Sequence, residues 1–315
     1  MKFTRLILAC AVVLVPIQAR AQQATIFPFL RSMVSARMAG LGGSTVSMPN
    51  DPSNVVLNPA VLPTLEHRKI AGTFIKYALD INAGYATYNQ EIEDVGTFAV
   101  TASFTSYGAF DRANHEGIVT GTFGASDVVL GVSFARELDT LITYGVTAKV
   151  LHSSLDDMAS TAIALDAGLL FRFPASRTNL GVSVINIGTQ LSTYDGTSDA
   201  LPLDMRLGVN HRLRGLPLLV NVSLNHLTDD VPSFFDRFLN FSVGGELYLG
   251  KVIQVRVGYD NATRNTSGVN VATQLTGLSA GIGIALPSLD FDYALSSIGA
   301  SVLLHRVSVA VRIEE

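Results

Sequence analysis

Residues 253–260 read Ile253-Gln254-Val255-Arg256-Val257-Gly258-Tyr259-Asp260. Apolar side chains take every second place, and polar or small residues fill the places between. A two-residue period puts the apolar set on one face of an extended strand and the polar set on the other. The same period recurs along the chain. Phe98, Val100, Ala102 and Phe104 alternate with Thr97, Thr101, Ser103 and Thr105. Val128, Leu130, Val132 and Phe134 enclose Gly131 and Ser133, and Leu203, Met205, Leu207 and Val209 oppose Asp204, Arg206, Asn210 and Arg212. Near the end of the chain Val307, Val309, Val311 and Ile313 alternate with Arg306, Ser308, Ala310 and Arg312.

Counted outward from these stretches, the pattern predicts fourteen strands: roughly 68–78, 81–92, 95–107, 123–137, 140–153, 158–173, 178–188, 202–214, 216–227, 238–250, 252–261, 275–286, 288–297 and 301–313. Several reach ten residues. Strands of globular proteins usually run about 5–6 residues, whereas a tilted membrane strand needs about 9–11. The links alternate in length. Residues 107–121, 154–157, 189–201, 228–237, 261–273 and 297–300 are mostly long and polar, while 91–94, 137–140, 174–177, 215, 250–251 and 287 are short turns. The first hairpin, at 78–80, is short where a long loop was allowed. An even strand number, with short turns at one end and longer loops at the other, is the pattern of an outer-membrane barrel.

Composition agrees. The 315 residues are 48% hydrophobic and 15% charged, against about 25% charged in soluble domains. The mean hydropathy is +0.35. This much apolar surface excludes a disordered chain. A net charge of −4 argues against a nucleic-acid binder. Beyond residue 21 no run of 18 apolar residues occurs, so the hydropathy does not sit in spanning helices. Beyond that point the lysines are Lys69, Lys76, Lys149 and Lys251. The polar face is therefore Ser, Thr, Asn and Gly with scattered Arg and Asp, which suits a narrow polar lumen. The expected class is all-β: a closed antiparallel transmembrane barrel of about fourteen strands, with its backbone groups paired within the wall. A secreted sandwich or solenoid is the bland alternative.

Residues 1–21 have the three parts of an export signal: Lys2 and Arg5, an apolar stretch over 6–15, and Ala19-Arg20-Ala21 as a cleavage site. Cleavage there starts the mature chain at Gln22 and takes the formal charge from −4 to −7. It also removes Cys10, the single cysteine, so no disulfide is expected.

Residues 22–67 do not alternate. They contain Ser-Ala-Arg-Met-Ala-Gly-Leu-Gly-Gly at 35–43, then Asn50-Asp51-Pro52, then Asn58-Pro59-Ala60. Gly40, Gly42 and Gly43 permit tight backbone turns. Asn58 is suited to cap a helix that starts at Pro59. Such a segment ahead of a barrel reads as a plug in the lumen, with a periplasmic extension as the alternative. The expected division is a signal at 1–21, a plug at 22–67 and a barrel at 68–315.

No catalytic constellation is evident, and the expectation is a non-enzymatic chain without cofactor or metal. The six histidines are scattered, without metal-ligand spacing. His211, His226 and His305 fall on apolar-face positions near strand ends. Ser126, Asp127 and His152 are the one triad that can be imagined. The polar face predicts lumenal charges at Asp166, Arg172, Arg206, Arg212, Glu246, Arg256, Asp290, Asp292, Arg306 and Arg312. These are expected to pair with one another and anchor the plug, the alternative being ion selectivity in an open pore.

The run Ser35-Ala36-Arg37-Met38-Ala39-Gly40-Leu41-Gly42-Gly43, followed by Asn58-Pro59-Ala60, resembles the PorV/PorQ family of type IX secretion outer-membrane proteins. The stretches at 107–110, 121–127 and 201–213 carry the same resemblance, which is greatest to the PorQ branch. That family is distantly similar to the FadL fatty-acid transporter. The resemblance implies a plugged barrel that holds a PorZ-like protein at the cell surface, alongside PorU-like and PorV-like components. Cargo would be attached to the surface there. On this reading Phe110, Tyr194, Phe234 and Phe235 lie on outer loops and dock the partner. The alternative is FadL-like uptake of a fatty acid or other hydrophobic small molecule. That alternative predicts an apolar pocket between plug and wall and an opening made by a strand kink. A general diffusion porin is the third possibility.

Overall fold

The computed structural model describes residues 26–66, 69–77, 80–266, 275–299 and 302–313. The export signal, its cleavage site, Cys10 and Gln22 lie outside the described residues, as do residues 67 and 68, where the plug was expected to meet the barrel.

Fourteen strands form one closed barrel. They are β1 (Lys69–Lys76), β2 (Asn82–Ile92), β3 (Gly96–Ala113), β4 (Val119–Glu137), β5 (Ile142–Leu155), β6 (Met158–Phe173) and β7 (Thr178–Ser192). The second half comprises β8 (Asp204–Arg212), β9 (Leu218–Leu224), β10 (Phe241–Leu249), β11 (Ile253–Asp260), β12 (Leu278–Ala285), β13 (Leu289–Gly299) and β14 (Val302–Arg312). Each pairs antiparallel with its sequence neighbours, and β1 pairs with β14 in the register Lys69 to Arg312. Closure leaves no free sheet edge. Among the described residues no helix is long and apolar enough to cross a membrane.

The burial of the strands is inverted relative to a soluble protein. On β3, Val100 is 54% and Phe104 49% exposed, while Thr97 and Thr101 are buried. On β11, Val257 is 61% exposed, while Gln254 and Arg256 are buried. The apolar face points out of the barrel and the polar face points in. Water would penalise that arrangement, and a lipid surround favours it.

The rim at the long-loop end is uneven. Residues 107–121 are not a loop. β3 and β4 continue through them as a hairpin, with Ala109 opposite Gly124 and Arg112 opposite Gly121. Gly108 and Gly117 stand at positive φ there, and a bulge separates Ser106 from Ala109. The glycines and polar residues that suggested a loop serve a protruding ribbon. On the other side β8 starts only at Asp204, so β7 pairs with it no further than Ile185.

Residues 26–66 lie inside the barrel as short turns. A 3-10 turn at Pro28–Arg31 is followed by α1 (Ala36–Gly40) and by 3-10 turns at Pro52–Val56 and Pro59–Thr64. Met38, Leu41, Met48 and Leu62 are fully buried between these turns and the wall. Val55, Leu62 and Leu65 pack on Ala99 and Ala135 of the wall, and Val61 packs on Leu170.

Candidate functional site

The plug is held by its caps and by the wall together. Ser35 caps α1, its Oγ accepting from Met38 N at 3.2 Å, while Ala36 N donates to Ser308 Oγ of β14 at 2.8 Å. Asp51 caps the turn at Pro52, and Asn58 caps the turn at Pro59 by accepting from Ala60 N at 3.1 Å. The Asn58 amide also donates to Leu169 O of β6 at 3.1 Å. Gly42 and Gly43 take positive φ and turn the chain after α1.

The wall approaches this segment through glycines. A Cβ on Gly168 would stand 2.0 Å from Asn58 Oδ1, and one on Gly258 would stand 2.2 Å from Gly42 N. Gly145, Gly181 and Gly244 meet plug backbone closely, and Gly208 meets Val46 Cβ. Gly40 lies against Gly281. Glycine here permits backbone-to-backbone approach that any side chain would block.

Buried charges tie plug to wall. Arg37 of α1 donates to Glu246 at 3.0 and 2.8 Å, and Arg256 donates to the same carboxylate at 2.7 Å. Arg256 also reaches Asp292, and Tyr248 donates to Glu246 at 2.6 Å. Burial alone would lower the Arg37 pKa, but Glu246, Tyr248 and Asp51 raise it well above the ordinary arginine value.

Every lumenal charge named from the sequence lies on the inner side. Asp166 pairs with Lys149 at 2.7 Å, and Arg206 pairs with Asp204 at 2.7 Å. Arg312 pairs with Asp290 at 2.5 Å, and Arg172 pairs with Glu137. Arg212 lies over the Tyr248 ring at 4.5 Å. Arg306 donates to Met33 O at 3.1 Å and to Ser296 Oγ at 2.6 Å. Among the described residues no carboxylate lies within ion-pair distance of it. The sequence reading missed Lys149 and Asp204 as ion-pair partners, although both share the parity of named inward residues. His226 corrects an expectation. It follows β9 at positive φ, which turns it inward, with Nδ1 2.9 Å from Asp204. Ser126, Asp127 and His152 do not assemble. Asp127 points inward, accepting from Tyr107 at 2.6 Å, and His152 is exposed on the outer face. Among the described residues no His, Cys, Asp and Glu cluster has metal-binding geometry.

Among the described residues, two cavities of mixed polar and apolar lining flank the plug. One, of about 520 Å³ at the short-turn end, is lined by Arg37, Lys69, Arg177, Arg212, Glu246 and Asp290 among others. The other, of about 580 Å³ at the long-loop end, is lined by Arg31, Tyr77, His226, Asp260, Ser279 and Arg306 among others. Beside the second lies an apolar chamber. Val129, Leu151, Ala162 and Ala164 from β4–β6 face inward there, together with Leu201. The chain fills it with its own Ile26 and Phe27, backed by Phe29 and Leu30.

The four aromatic residues expected on outer loops divide. Phe110 is in β3, stacked on Phe123 with ring centres 5.3 Å apart. Tyr194 turns inward, donating to Ser153 at 2.5 Å and packing on the apolar chamber. Both corrections follow from the tall β3–β7 side of the barrel, whose ladder and lumen claim these rings. Phe234 and Phe235 are 65% and 75% exposed on a 3-10 turn, Phe234–Leu239.

No family model and no curated relative matches the sequence. Solved structures do. A Pseudomonas aeruginosa FadL homologue aligns with TM-score 0.57 and 11% identity, over 90% of this chain and 99% of that one. The P. putida toluene transporter TodX aligns with TM-score 0.58 and 12% identity, over 89% and 99%. The CymD monoaromatic hydrocarbon channel aligns with TM-score 0.56 and 13% identity, over 90% and 98%. The fold is that of a FadL-type outer-membrane barrel.

Proposed function

We propose that this chain is an integral outer-membrane protein, non-enzymatic, that admits a small hydrophobic molecule into the chamber now filled by Ile26 and Phe27. One observation carries the reading. Apolar wall residues such as Ala99, Ala135 and Leu170 pack the pinned turns of the plug, whereas Val129, Leu151, Ala162 and Ala164 make an apolar surface that a phenylalanine from the leading end of the plug occupies. Phe27 marks where an aromatic or aliphatic guest gains most from leaving water. The middle of the plug is pinned by the wall glycines and by Glu246, so the movable part is the segment from Ile26 to Met33. The break in the β7–β8 ladder beyond Ile185, beside the chamber, supports an exit through the wall. The likeness to a toluene transporter and a monoaromatic hydrocarbon channel supports the ligand class.

Liposomes carrying the purified barrel test this with labelled toluene and a labelled fatty acid. Uptake above that of empty liposomes is expected, and Phe27→Ala should increase it. Uptake no greater than in empty liposomes, for both probes and both proteins, overturns the reading.

A second reading is attachment of a PorZ-like surface protein in type IX secretion. The exposed rings of Phe234 and Phe235, joined by Phe238 at 5.6 Å from Phe234, favour it, because aromatic clusters are suited to protein contact. Deleting residues 228–237 should release such a partner from solubilised envelopes without unfolding the barrel. Retention of the partner across separate deletions of residues 107–121, 189–201, 228–237 and 261–273 sinks this alternative.

A further inference from the structure

We propose that the long-loop cavity is a second binding site, with Arg306 as its anchor, for a small water-borne oxyanion such as a carboxylate or phosphate. The argument starts from charge. The buried cations Lys69, Arg206 and Arg256 each have a carboxylate partner, in Asp290, Asp204, and Glu246 with Asp292. Arg306 is as deeply buried, at 3% exposure, yet among the described residues its side-chain partners are all uncharged: the carbonyl of Met33 and the hydroxyls of Ser296 and Tyr77. A guanidinium removed from water without a counter-charge is costly, and a bound anion offsets that cost.

Two other residues of the cavity lining carry buried donors without partners. Arg31 is bound to Asp229 through both terminal nitrogens, at 2.9 and 2.6 Å, which leaves its Nε buried without an acceptor. Ser279 Oγ is buried without a partner as well. Both residues line the same space as Arg306. The carboxylates on that lining are already engaged. Asp229 holds Arg31, and Asp260 accepts from Ala262 N and Thr263 Oγ1 at the start of α2 (Asn261–Thr266). The lining carboxylates are therefore committed to other donors, and the guanidinium charge suits an oxyanion. A volume of about 580 Å³ falls within the range of small-molecule sites.

The polar groups of the lining gather with Arg306. Ser279, Ser296, Asn240, Tyr77 and His226 share the space with apolar residues such as Met33 and Leu304, and the apolar chamber lies on the other side of the segment from Ile26 to Met33. The site does not depend on hydrophobic uptake, and failure of the liposome assay leaves it standing.

Calorimetric titration of the detergent-solubilised, folded barrel tests the proposal, with inorganic phosphate and citrate as probes and chloride at equal ionic strength as control. Saturable binding of at least one oxyanion, near one per barrel, is expected. Arg306→Gln should weaken it at least tenfold, Arg306→Lys should retain part of it, and Arg212→Gln at the opposite mouth should leave it unchanged. An anionic phospholipid dispersed in the same detergent should not compete, since the ligand is a free anion; competition would overturn that choice of source. The proposal falls if neither probe saturates, if chloride acts equally, or if Arg212→Gln abolishes binding while Arg306→Gln does not. Should the Arg306 variants not fold, the wild-type and Arg212→Gln titrations still decide: saturation in both supports the site, and loss in either overturns it.

Discussion

At the scale of the residue, Glu246 and Gly168 carry the contact between plug and wall. Glu246 stands between two guanidinium groups, Arg37 from the plug and Arg256 from the wall. Glu246→Gln leaves Arg37 and Arg256 sharing a neutral acceptor, with Asp292 as the carboxylate still held by Arg256. Removing one member of a buried ion pair costs about 3–5 kcal/mol. We expect a loss of that order in urea unfolding of the reconstituted barrel, with Glu246→Asp milder. Gly168 has no room for a Cβ because Asn58 Oδ1 occupies the place. Gly168→Ala should destabilise by about 1–3 kcal/mol, the usual range for overpacking. Asn58→Ala removes the opposing atom. The double variant should therefore lose less than the sum of the two single variants, which a double-mutant cycle measures directly.

At the scale of the element, the leading part of the plug differs from its middle. Capped turns, buried methionines and the wall glycines hold residues 35–66. The segment from Ile26 to Met33 rests on the apolar chamber, on a backbone bond from Ile26 N to Ala200 O at 3.2 Å, on Arg31 with Asp229, and on Arg306, which donates to Met33 O at 3.1 Å. Phe27→Ala should cost about 3–5 kcal/mol if the chamber cannot collapse. Added toluene should recover part of that loss as a raised unfolding midpoint, because a guest that binds only the folded state stabilises it. No recovery at saturating toluene would mean that the chamber closes or fills with water. The β3–β4 ribbon gives a contrasting case. Its tip is a local turn, with Asn114 Oδ1 accepting from Glu116 N and Ile118 N.

At the scale of the whole molecule, the inverted burial defines the surroundings the barrel needs. Val257 points outward from the middle of β11 and Arg256 points inward. Val257→Arg should cost about 2–4 kcal/mol in a bilayer, the range for a cation on the lipid face at mid-depth. In a water-facing barrel the same change would be neutral or would improve solubility. Unfolding of this variant in liposomes distinguishes the two, and a neutral result would remove the lipid band from the account. Closure also explains why a lumen with so few apolar residues is stable. The wall supplies the backbone pairing, and the plug, with its own buried side chains, supplies the packed interior that a polar barrel lacks.

How much of this was legible in the sequence varies with the range of the interaction. Period two, strand length and loop parity depend on neighbouring residues, so strand number, closure and the inward parity of the charges from Asp166 to Arg312 could be read directly. The same locality explains the misses. Residues 107–113 hold an extended conformation only because β4 pairs with them across the bulge at Gly108. Tyr194 turns inward only because Ser153 and the apolar chamber are there to receive it. His226 changes face through one residue at positive φ. Which carboxylate meets which guanidinium, why glycines recur on the inner wall, and why Arg306 lacks a carboxylate depend on residues hundreds of positions apart meeting in a closed lumen. The alternating pattern by itself determined a barrel with a polar interior. Only the tertiary structure decided that its lumen holds a pinned plug, an apolar chamber filled by Phe27 and a cavity facing Arg306, because those features arise where the closed wall and the plug meet.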